Sequence, residues 1–469
     1  MIATKNLNLK IKVILEIKYK YKYKKKMDVV APNSVNYGDQ LPLGIEAKSN
    51  RRLFFPSTGD SYASNGTNII RITLNADSML DTSQSYLKFD LKNTTTTDAV
   101  SFDLGQPVIS RLVISSGGVV LEDIQHYNHL VGGILAPAQY GAGQFNTDML
   151  NRNALEEQNA TGVGFGSFLT YSSIGGSANK NNGRNSVGQG DTITCCYKLY
   201  SGLLDNDKYL PLVLMNNGVD IEIHLAGPNE AGCSAGANDV NFEISSVRYV
   251  AHLVELQRDF YDMLRMTQQN SGGVLQIAGQ SFRNFTGTLS AAATGEQNIN
   301  VPVRARSIKS IFFKSSRAAG QQNFTLSAGS SMSLSQYQVK IGATNYPPTA
   351  VQVNEATNKI EPYLELEKSF GKLGSTIHSN LLGNANYLID HSGGGAKDGT
   401  VPFGCYGLDL ESFRAEIENG VDTSSRALPM TLSLTLGAAG VSVANTVFIY
   451  ALIDTLFFVN MDGSVSVSS

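Results

Sequence analysis

The sequence contains no tryptophan, four cysteines and thirteen prolines in 469 residues. Charged residues make up only 16%, against roughly 25% in an average globular domain, so neither a disordered, highly charged chain nor a long coiled coil fits. The cysteines are too few and too irregularly spaced for a disulfide framework, which favours a reducing environment. Glycine is abundant, with 45 residues, and this turn-rich, charge-poor composition favours many short strands. At about 150 residues per domain, the length predicts two or three domains.

Long apolar runs are also missing, since no segment reaches the roughly 18 apolar residues of a membrane span. The nearest, Thr446 to Val459, has Asp454 in its middle and predicts a buried strand near the end of the chain. The apolar stretch near the N-terminus is interrupted by Lys12 and Glu16, which is unlike a signal peptide. We therefore expect a protein that is neither membrane-spanning nor secreted.

Residues 1–26 contain nine lysines and one glutamate, so this segment carries a local charge of +8 and the rest of the chain −11. One interpretation is a basic arm that contacts nucleic-acid phosphates. The lysines of its Lys/Tyr run are Lys18, Lys20, Lys22, Lys24, Lys25 and Lys26. The other interpretation, which we favour, is an in-frame extension upstream of a start at Met27. The acidic remainder of the chain is unsuited to coating DNA.

Apolar and polar residues alternate along several stretches in both halves of the chain, which predicts strands with one face toward a core. The apolar positions are Ile70, Ile72 and Leu74; Leu87, Phe89 and Leu91; Val219, Ile221, Ile223 and Leu225; Tyr337, Val339 and Ile341; and Leu432, Leu434 and Leu436. Helical periodicity is confined to three segments. They are 256–264, where Leu256, Phe260, Met263 and Leu264 form one stripe for burial, and the shorter segments 124–130 and 363–370.

A polar, glycine-bearing segment at 268–273 predicts a boundary between two similar halves. We therefore expect a basic N-terminal extension at 1–37, a first β-domain at 38–267 and a second at 268–469. The halves echo one another weakly, because 108–118 resembles 303–313, and two copies of one β-fold are the simplest explanation. Gly/Ser/Asn-rich loops interrupt the strands at 140–190 and around 391–400. A loop of roughly fifty residues is uncommon in a compact domain and favours contact with another chain.

Residue patterns for chemistry are weak throughout. The sequence has no phosphate-binding loop, no His-Glu-x-x-His pair and no Gly-x-Ser-x-Gly elbow. His126 and His129 could share a helix face, as metal ligands would, but no further ligand lies nearby in the sequence. We therefore expect two polar residues on the solvent-facing side of a short helix. Cys195 and Cys196 are adjacent and predict buried small residues rather than a redox pair. We expect no catalytic residue, no cofactor and no metal.

Carboxylates give no clearer signal. The segment 205–207, Asp-Asn-Asp, lacks the glycine and the downstream glutamate of a calcium loop and predicts a solvated turn. Asp409 and Glu411, and likewise Glu416 and Glu418, are pairs that a glycosidase would place across a cleft lined with aromatic residues. The absence of tryptophan argues against that use.

Several segments, taken in order, resemble the double jelly-roll major capsid proteins of dsDNA viruses, in the lineage of the adenovirus hexon. Segments 55–62, 68–74 and 80–89 look like the opening strands, and 110–128 is similar to the strand-then-helix segment of the first jelly roll. The Leu-Pro-Leu strand of the family is matched by 209–223. In the second half the similar segments are 337–342, 346–348 and 420–425. Because 215–218 lacks the bulkier polar residues of the large-virus relatives, the resemblance favours Polinton-like viruses and virophages.

The resemblance implies two tandem eight-stranded antiparallel jelly rolls, with a few short helices in the connections. It further implies a homotrimer that forms a pseudo-hexagonal capsomer and tiles an icosahedral shell around dsDNA. The expected partners are neighbouring capsomers, with minor capsid or penton proteins and the genome as further candidates, and the expected location is the virion. Two rival interpretations are a carbohydrate-binding β-sandwich, which would favour tryptophan and a signal peptide, and a cupin-type enzyme, which would favour clustered histidines.

Overall fold

Segments in which apolar and polar residues alternate form β-strands through most of the described chain. The structure, a computed structural model, describes residues 46–95, 100–102, 105–139, 186–187, 189–228, 230–234, 240–317, 328–330, 332–353, 360–371, 373, 400–402, 405–413, 418–425, 429–438, 441 and 444–469. Residues Ala47–Ser469 form one compact unit. The long loop at 140–190, the loop around 391–400 and the lysines of 18–26 lie wholly or almost wholly outside the described residues.

The first half of this unit contains thirteen strands within the described residues. They are β1 (Ala47–Phe54), β2 (Ser61–Ala63), β3 (Ile69–Leu74), β4 (Met79–Asn93), β5 (Val100–Phe102), β6 (Ile109–Ser116), β7 (Val119–Gln125), β8 (Ser186–Val187), β9 (Thr192–Tyr197), β10 (Leu210–Pro211), β11 (Val219–Leu225), β12 (Gly232–Ser234) and β13 (Phe242–Leu256). Every second residue of β11 is buried, as the alternation predicts. The residues between them are half-buried polar side chains, so the strand has one core face.

Eight of these strands form the main part of two antiparallel sheets, and the short strands β2 and β10 pair with β13 and β4 in the first of them. One sheet has the order β1-β13-β4 with β9 on the far side of β4, and the other has the order β3-β11-β6-β7. Numbered by their sequence, the eight strands therefore have the orders 1-8-3-6 and 2-7-4-5. This is the arrangement of a jelly roll, in which two Greek keys enclose a core between the sheets. The short strands β12, β5 and β8 form a further small sheet.

The second half repeats this arrangement with its own strands. They are β14 (Val274–Leu289), β15 (Gly295–Asn300), β16 (Ile308–Arg317), β17 (Ala328–Ser330), β18 (Leu334–Ile341), β19 (Thr344–Gln352), β20 (Thr400–Pro402), β21 (Cys405–Asp409), β22 (Met430–Leu436), β23 (Asn445–Asn460) and β24 (Val465–Ser468). The sheets β14-β23-β16-β21 and β15-β22-β18-β19 again have the orders 1-8-3-6 and 2-7-4-5. Two eight-stranded jelly rolls are thus confirmed.

The core of the second jelly roll is closed by aromatic residues from both sheets. Phe313 stacks on Tyr406 with ring centroids 5.0 Å apart, and Tyr337 of the opposite sheet meets Phe313 edge-on at 5.2 Å. All three side chains are completely buried. Such rings contribute large buried areas, and their offset and edge-on contacts add a further ~0.5–1.5 kcal/mol per pair.

Short helices occupy the connections between strands, as expected. They are α1 (Tyr127–Leu130), a π-helical segment (Val131–Leu135), α2 (Ala136–Gln139), a 3₁₀ turn (Leu212–Leu214), α3 (Arg258–Asn270) and α4 (Ile360–Ser369). The helix expected at 124–130 starts later, because Ile124 and Gln125 still pair within β7. The predicted limit between 267 and 268 falls inside α3, and the domain limits stay a prediction.

Two expectations about these elements are wrong. The stripe predicted for full burial is only partly covered, since Leu256, Phe260 and Leu264 are half-buried, Met263 is 53% exposed and Gln268 is the buried residue of α3. The echo between 108–118 and 303–313 compares strands that are not equivalent, because β6 is the fourth strand of its jelly roll and β16 the third. Alternation is common to all strands of the fold, so it carries little information on strand position.

Candidate functional site

The feature that most distinguishes this chain from a single jelly roll is the junction between its two rolls. The segment after β9 crosses to the second roll, and its backbone at Gly202 lies directly against the backbone of β14. A Cβ atom at Gly202 would lie 2.6 Å from the carbonyl oxygen of Gln280, and one at Gly279 would lie 2.4 Å from the carbonyl oxygen of Gly202. Only glycine permits this approach. Asn206 adds a hydrogen bond from its Nδ2 to the carbonyl oxygen of Ala278, at 2.7 Å.

A buried carboxylate holds the crossing segment in place. Glu122 of β7 is 3% exposed and accepts hydrogen bonds from the Ser201 hydroxyl at 2.5 Å and from the N–H groups of Gly202 and Leu203 at 2.9 and 3.1 Å. Hydrogen bonds to an ionised acceptor are the stronger kind, worth about 1.5–3 kcal/mol each. Glu122 therefore fixes the backbone that meets β14.

Aromatic residues form a second contact between the rolls. The ring of His129 stacks on Phe448 with 4.0 Å between centroids, and the hydroxyl of Tyr450 donates to the carbonyl oxygen of His126 at 2.8 Å. Burial, together with the positive charge of the nearby Lys314, lowers the pKa of His129 to about 3. The imidazole is thus neutral at physiological pH, and its covered Nδ1 has no hydrogen-bond partner.

This contact corrects the interpretation of the histidine pair. His126 is exposed, as expected for the wet side of a helix, whereas His129 packs into the junction. Among the described residues, no group of three or more His, Cys, Asp or Glu side chains is arranged to hold a metal ion. The pair therefore has a packing role in the part of the chain that the structure describes.

A cleft of about 550 Å³ lies between the crossing segment and the second jelly roll. Its wall includes Asp205, Asn206 and Asp207, the segment predicted as a turn, together with Lys309 and Glu411. Glu411 forms an ion pair with Lys309, with 2.7 Å between Oε1 and Nζ. Its sequence neighbour Asp409 accepts from the backbone N–H of Glu411 instead, so the two carboxylates of this pair do not face each other across the cleft.

The remaining candidates from the sequence are dispersed. Cys195 is buried and Cys196 half-buried on successive positions of β9, as the strand geometry requires. Burial raises the pKa of Cys196 and raises that of Cys405 to about 12, so both thiols are held protonated. Glu416 and the six lysines of 18–26 lie outside the described residues. No described helix is both long and apolar enough to cross a membrane.

Sequence reasoning missed the residues that build the junction. Glu122 occupies a polar position of an alternating strand and is indistinguishable there from a solvent-facing residue. Gly202 lies in a segment with no periodicity. Only one signal was available, the long apolar run at 446–459 with Asp454 in its middle, which indicates a strand covered on both faces.

Two complete jelly rolls of identical strand order, fused through a glycine contact, define the double jelly-roll class of fold. Solved structures agree. A chain of the PBCV-1 virus capsid, in a quasi-atomic model, has a TM-score of 0.54 at 12% identity, covering 92% of this chain and 99% of that one. The Sputnik virophage, solved by cryo-EM, gives 0.54 at 10% identity with 94% and 92% covered.

The mavirus major capsid protein, from a crystal structure, gives a TM-score of 0.50 at 11% identity, with 93% of each chain covered. Identities this low show the fold alone. No family model matches the sequence, and no curated protein matches it. The double jelly-roll fold expected from the sequence is confirmed.

Proposed function

We propose that this chain is a viral major capsid protein, a structural subunit of the virion that catalyses no reaction on a substrate. The observation that carries the proposal is the pair of jelly rolls with identical strand orders, held together in one compact unit. Three such chains around a threefold axis place six similar units in a ring, and this gives a pseudo-hexagonal capsomer. The chains of the same fold from PBCV-1 and mavirus are capsid components by name.

The surface chemistry supports close lateral packing of such capsomers. Outward positions on the alternating strands combine Thr, Ser and Gln with charges of both signs, such as Lys88, Asp90 and Glu222, and these charges largely cancel, since the net charge of the chain is −3. Low net charge limits repulsion between many copies. Obligate interfaces bury about 2,000–5,000 Å² in total. Neighbouring capsomers are the main partners in this proposal, and minor capsid or penton proteins are additional ones.

Light scattering coupled to size-exclusion chromatography tests the trimer directly. A chain of 50.4 kDa should elute with a mass of about 150 kDa, three times the chain, and electron microscopy should show particles with a hexagonal outline. The threefold arrangement of two-roll subunits predicts both results together. A folded protein that stays monomeric at micromolar concentration would contradict the proposal.

The lysine-rich segment is proposed to contact genome phosphates inside the shell. Neutralising Lys18, Lys20, Lys22, Lys24, Lys25 and Lys26 as glutamines should weaken DNA binding and flatten its salt dependence, because each phosphate contact contributes about 0.9 to the slope of log K against log salt. The comparison is between full-length chain, this variant and a chain starting at Met27. Equal binding by all three would leave the upstream-extension interpretation standing, and mass spectrometry of virion protein would identify the first residue.

A further inference from the structure

One lysine of the second jelly roll is buried between two carboxylates. Lys309 occupies a register shift in β16, between Ile308 and Ser310, and such bulges redirect a side chain. Its Nζ lies 2.7 Å from Oε1 of Glu411 and 3.7 Å from Oδ1 of Asp454. The three side chains are only 6, 16 and 4% exposed. One ammonium thus faces two carboxylates in a largely water-excluded place.

The second carboxylate oxygen of Asp454 is held separately. Its Oδ2 accepts hydrogen bonds from the hydroxyl of Ser307 at 2.7 Å and from the backbone N–H of Glu418 at 2.9 Å. The Ser307 hydroxyl itself accepts from the N–H of Gly420 at 3.0 Å, so its hydrogen is directed at Asp454. Two donors therefore converge on one oxygen while the other oxygen faces Lys309.

Backbone geometry around the donors is under strain. Glu418 has a φ of 57°, in the left-handed region that non-glycine residues rarely occupy. Gly420 approaches the backbone of β16 so closely that a Cβ atom would lie 2.3 Å from the carbonyl oxygen of Ile308. Such strain persists where the surrounding structure fixes it and is concentrated at functional sites. The segment 418–420 is thus held closely against the backbone of β16, next to the carboxylate of Asp454.

These groups form a set with complementary chemical roles. Lys309 is an amine nucleophile, Asp454 a carboxyl carbon, Glu411 a proton carrier in contact with the amine, and the donors at Oδ2 an oxyanion hole. We propose that Lys309 and Asp454 condense within the folded chain to form an intramolecular amide bond. Glu411 acts as the general base and acid of this single-turnover reaction.

The reaction balances without any co-reactant. The ammonium of Lys309 gives one proton, by way of Glu411, to Oδ1 of Asp454, and the neutral amine attacks Cγ of the resulting carboxylic acid. The negative charge that develops on Oδ2 is stabilised by Ser307 and the N–H of Glu418. Nζ then loses a second proton, Oδ1 departs as water with both protons, and Glu411 is a carboxylate again. Water can leave through the cleft, because Lys309 and Glu411 line its wall.

The competing interpretation is a simple buried ion pair, and the proximity of the groups favours reaction over it. Nζ of Lys309 and Oδ1 of Asp454 lie 3.7 Å apart, close to the ~3–3.5 Å at which oriented groups gain effective molarities of up to about 10⁵–10⁸ M. The donors at Oδ2 would also satisfy a buried carboxylate, but they lie where the oxyanion of the reaction would form. The bond would tie β16 to its neighbour β23. The exposed pair Lys340–Glu296, at 2.6 Å, is a comparison at the surface in which the lysine forms an ion pair with one carboxylate.

Intact mass spectrometry of the denatured full-length chain tests the proposal, independently of whether it assembles into capsids. The expected mass is one water below that of the sequence. Trypsin should release segment 307–314, uncleaved after Lys309 and joined to segment 427–469. Full mass in the wild-type protein, with normal cleavage after Lys309, would overturn the proposal without the need for any variant.

Two substitutions identify the roles. Glu411→Gln keeps a hydrogen-bond partner for Nζ but cannot carry the proton, and should restore the full mass in protein that remains folded by circular dichroism. Lys340→Met, which removes the exposed ion pair, should retain the loss of water. Loss of water that persists in Glu411→Gln would refute the role assigned to Glu411.

Discussion

Replacing Gly202 with alanine adds one methyl group at the point where the two jelly rolls touch. The new Cβ would lie 2.6 Å from the carbonyl oxygen of Gln280, whereas ordinary van der Waals contact starts near 3.4 Å, so the two backbones would have to separate by about 0.8 Å. Neither side can yield easily. Gly202 is fixed by Glu122, and Gln280 belongs to β14, which pairs along its full length with β23.

The expected cost lies at the upper end of the usual range for overpacking, roughly 3 kcal/mol. An alanine also restricts the unfolded chain, which offsets the loss by only about 0.4–1 kcal/mol. A net loss of about 2 kcal/mol corresponds to a shift of roughly thirtyfold in the unfolding equilibrium. Gly279→Ala should cost a similar amount. The double variant should cost less than the sum, because both substitutions force the same separation.

Urea denaturation, monitored by circular dichroism, measures the change in the free energy of unfolding. Gly66→Ala is the matched control, since its Cβ would lie 3.6 Å from the Cβ of Ala63, an ordinary contact. We expect the control to unfold at the wild-type urea concentration and Gly202→Ala at a clearly lower one. Equal midpoints for the two variants would show that the rolls are not held in backbone contact.

Three further outcomes follow from the junction and core. Tyr450→Phe removes the hydrogen bond to the carbonyl oxygen of His126 and should cost about 1 kcal/mol in the same denaturation assay; no change would contradict the contact. His129 has a lowered pKa of about 3, so the unfolded chain takes up a proton first as pH falls below 6.5. Stability is therefore complete above pH 6.5 and should decrease by up to about 1.4 kcal/mol per pH unit toward pH 3, with a shallower decrease in His129→Phe. Cys405, whose pKa is raised to about 12, should resist iodoacetamide in the native protein and react after denaturation, and rapid native labelling would show that the thiol is accessible.

Strand positions could be predicted from the sequence because one face of each strand is buried and the other is not. The alternating residues of β3, β11 and β22 appear as expected, and their apolar members are buried. The helical period of a sequence does not indicate whether its apolar stripe packs on a core or remains at the surface. On α3, Met263 and Met266 are 53% and 62% exposed, because the helix crosses between the rolls at the surface.

Contacts between distant segments could not be predicted in this way. Glu122 and Gly202 are 80 positions apart, and nothing in the neighbourhood of either residue indicates the other. The residues clustered around Lys309 are likewise distant in sequence and are brought together by the fold. Glu411 and Asp454 meet it only because β21 and β23 are neighbours of β16 in the sheet, which is a property of the topology rather than of any local pattern.

The apolar run from Thr446 to Val459 is explained by the burial of β23 on two sides. Val447, Ile449, Ala451 and Ile453 are buried in one face of the strand, and the alternate residues Phe448 and Tyr450 contact the first jelly roll. A strand covered on both faces loses the polar alternation of its neighbours. Asp454 continues the junction-side face, and this explains why a charged residue interrupts the run: it meets Lys309 rather than lipid or solvent. In this chain, the long apolar strand with one buried charge is therefore the element that both joins the two rolls and anchors the proposed amide bond.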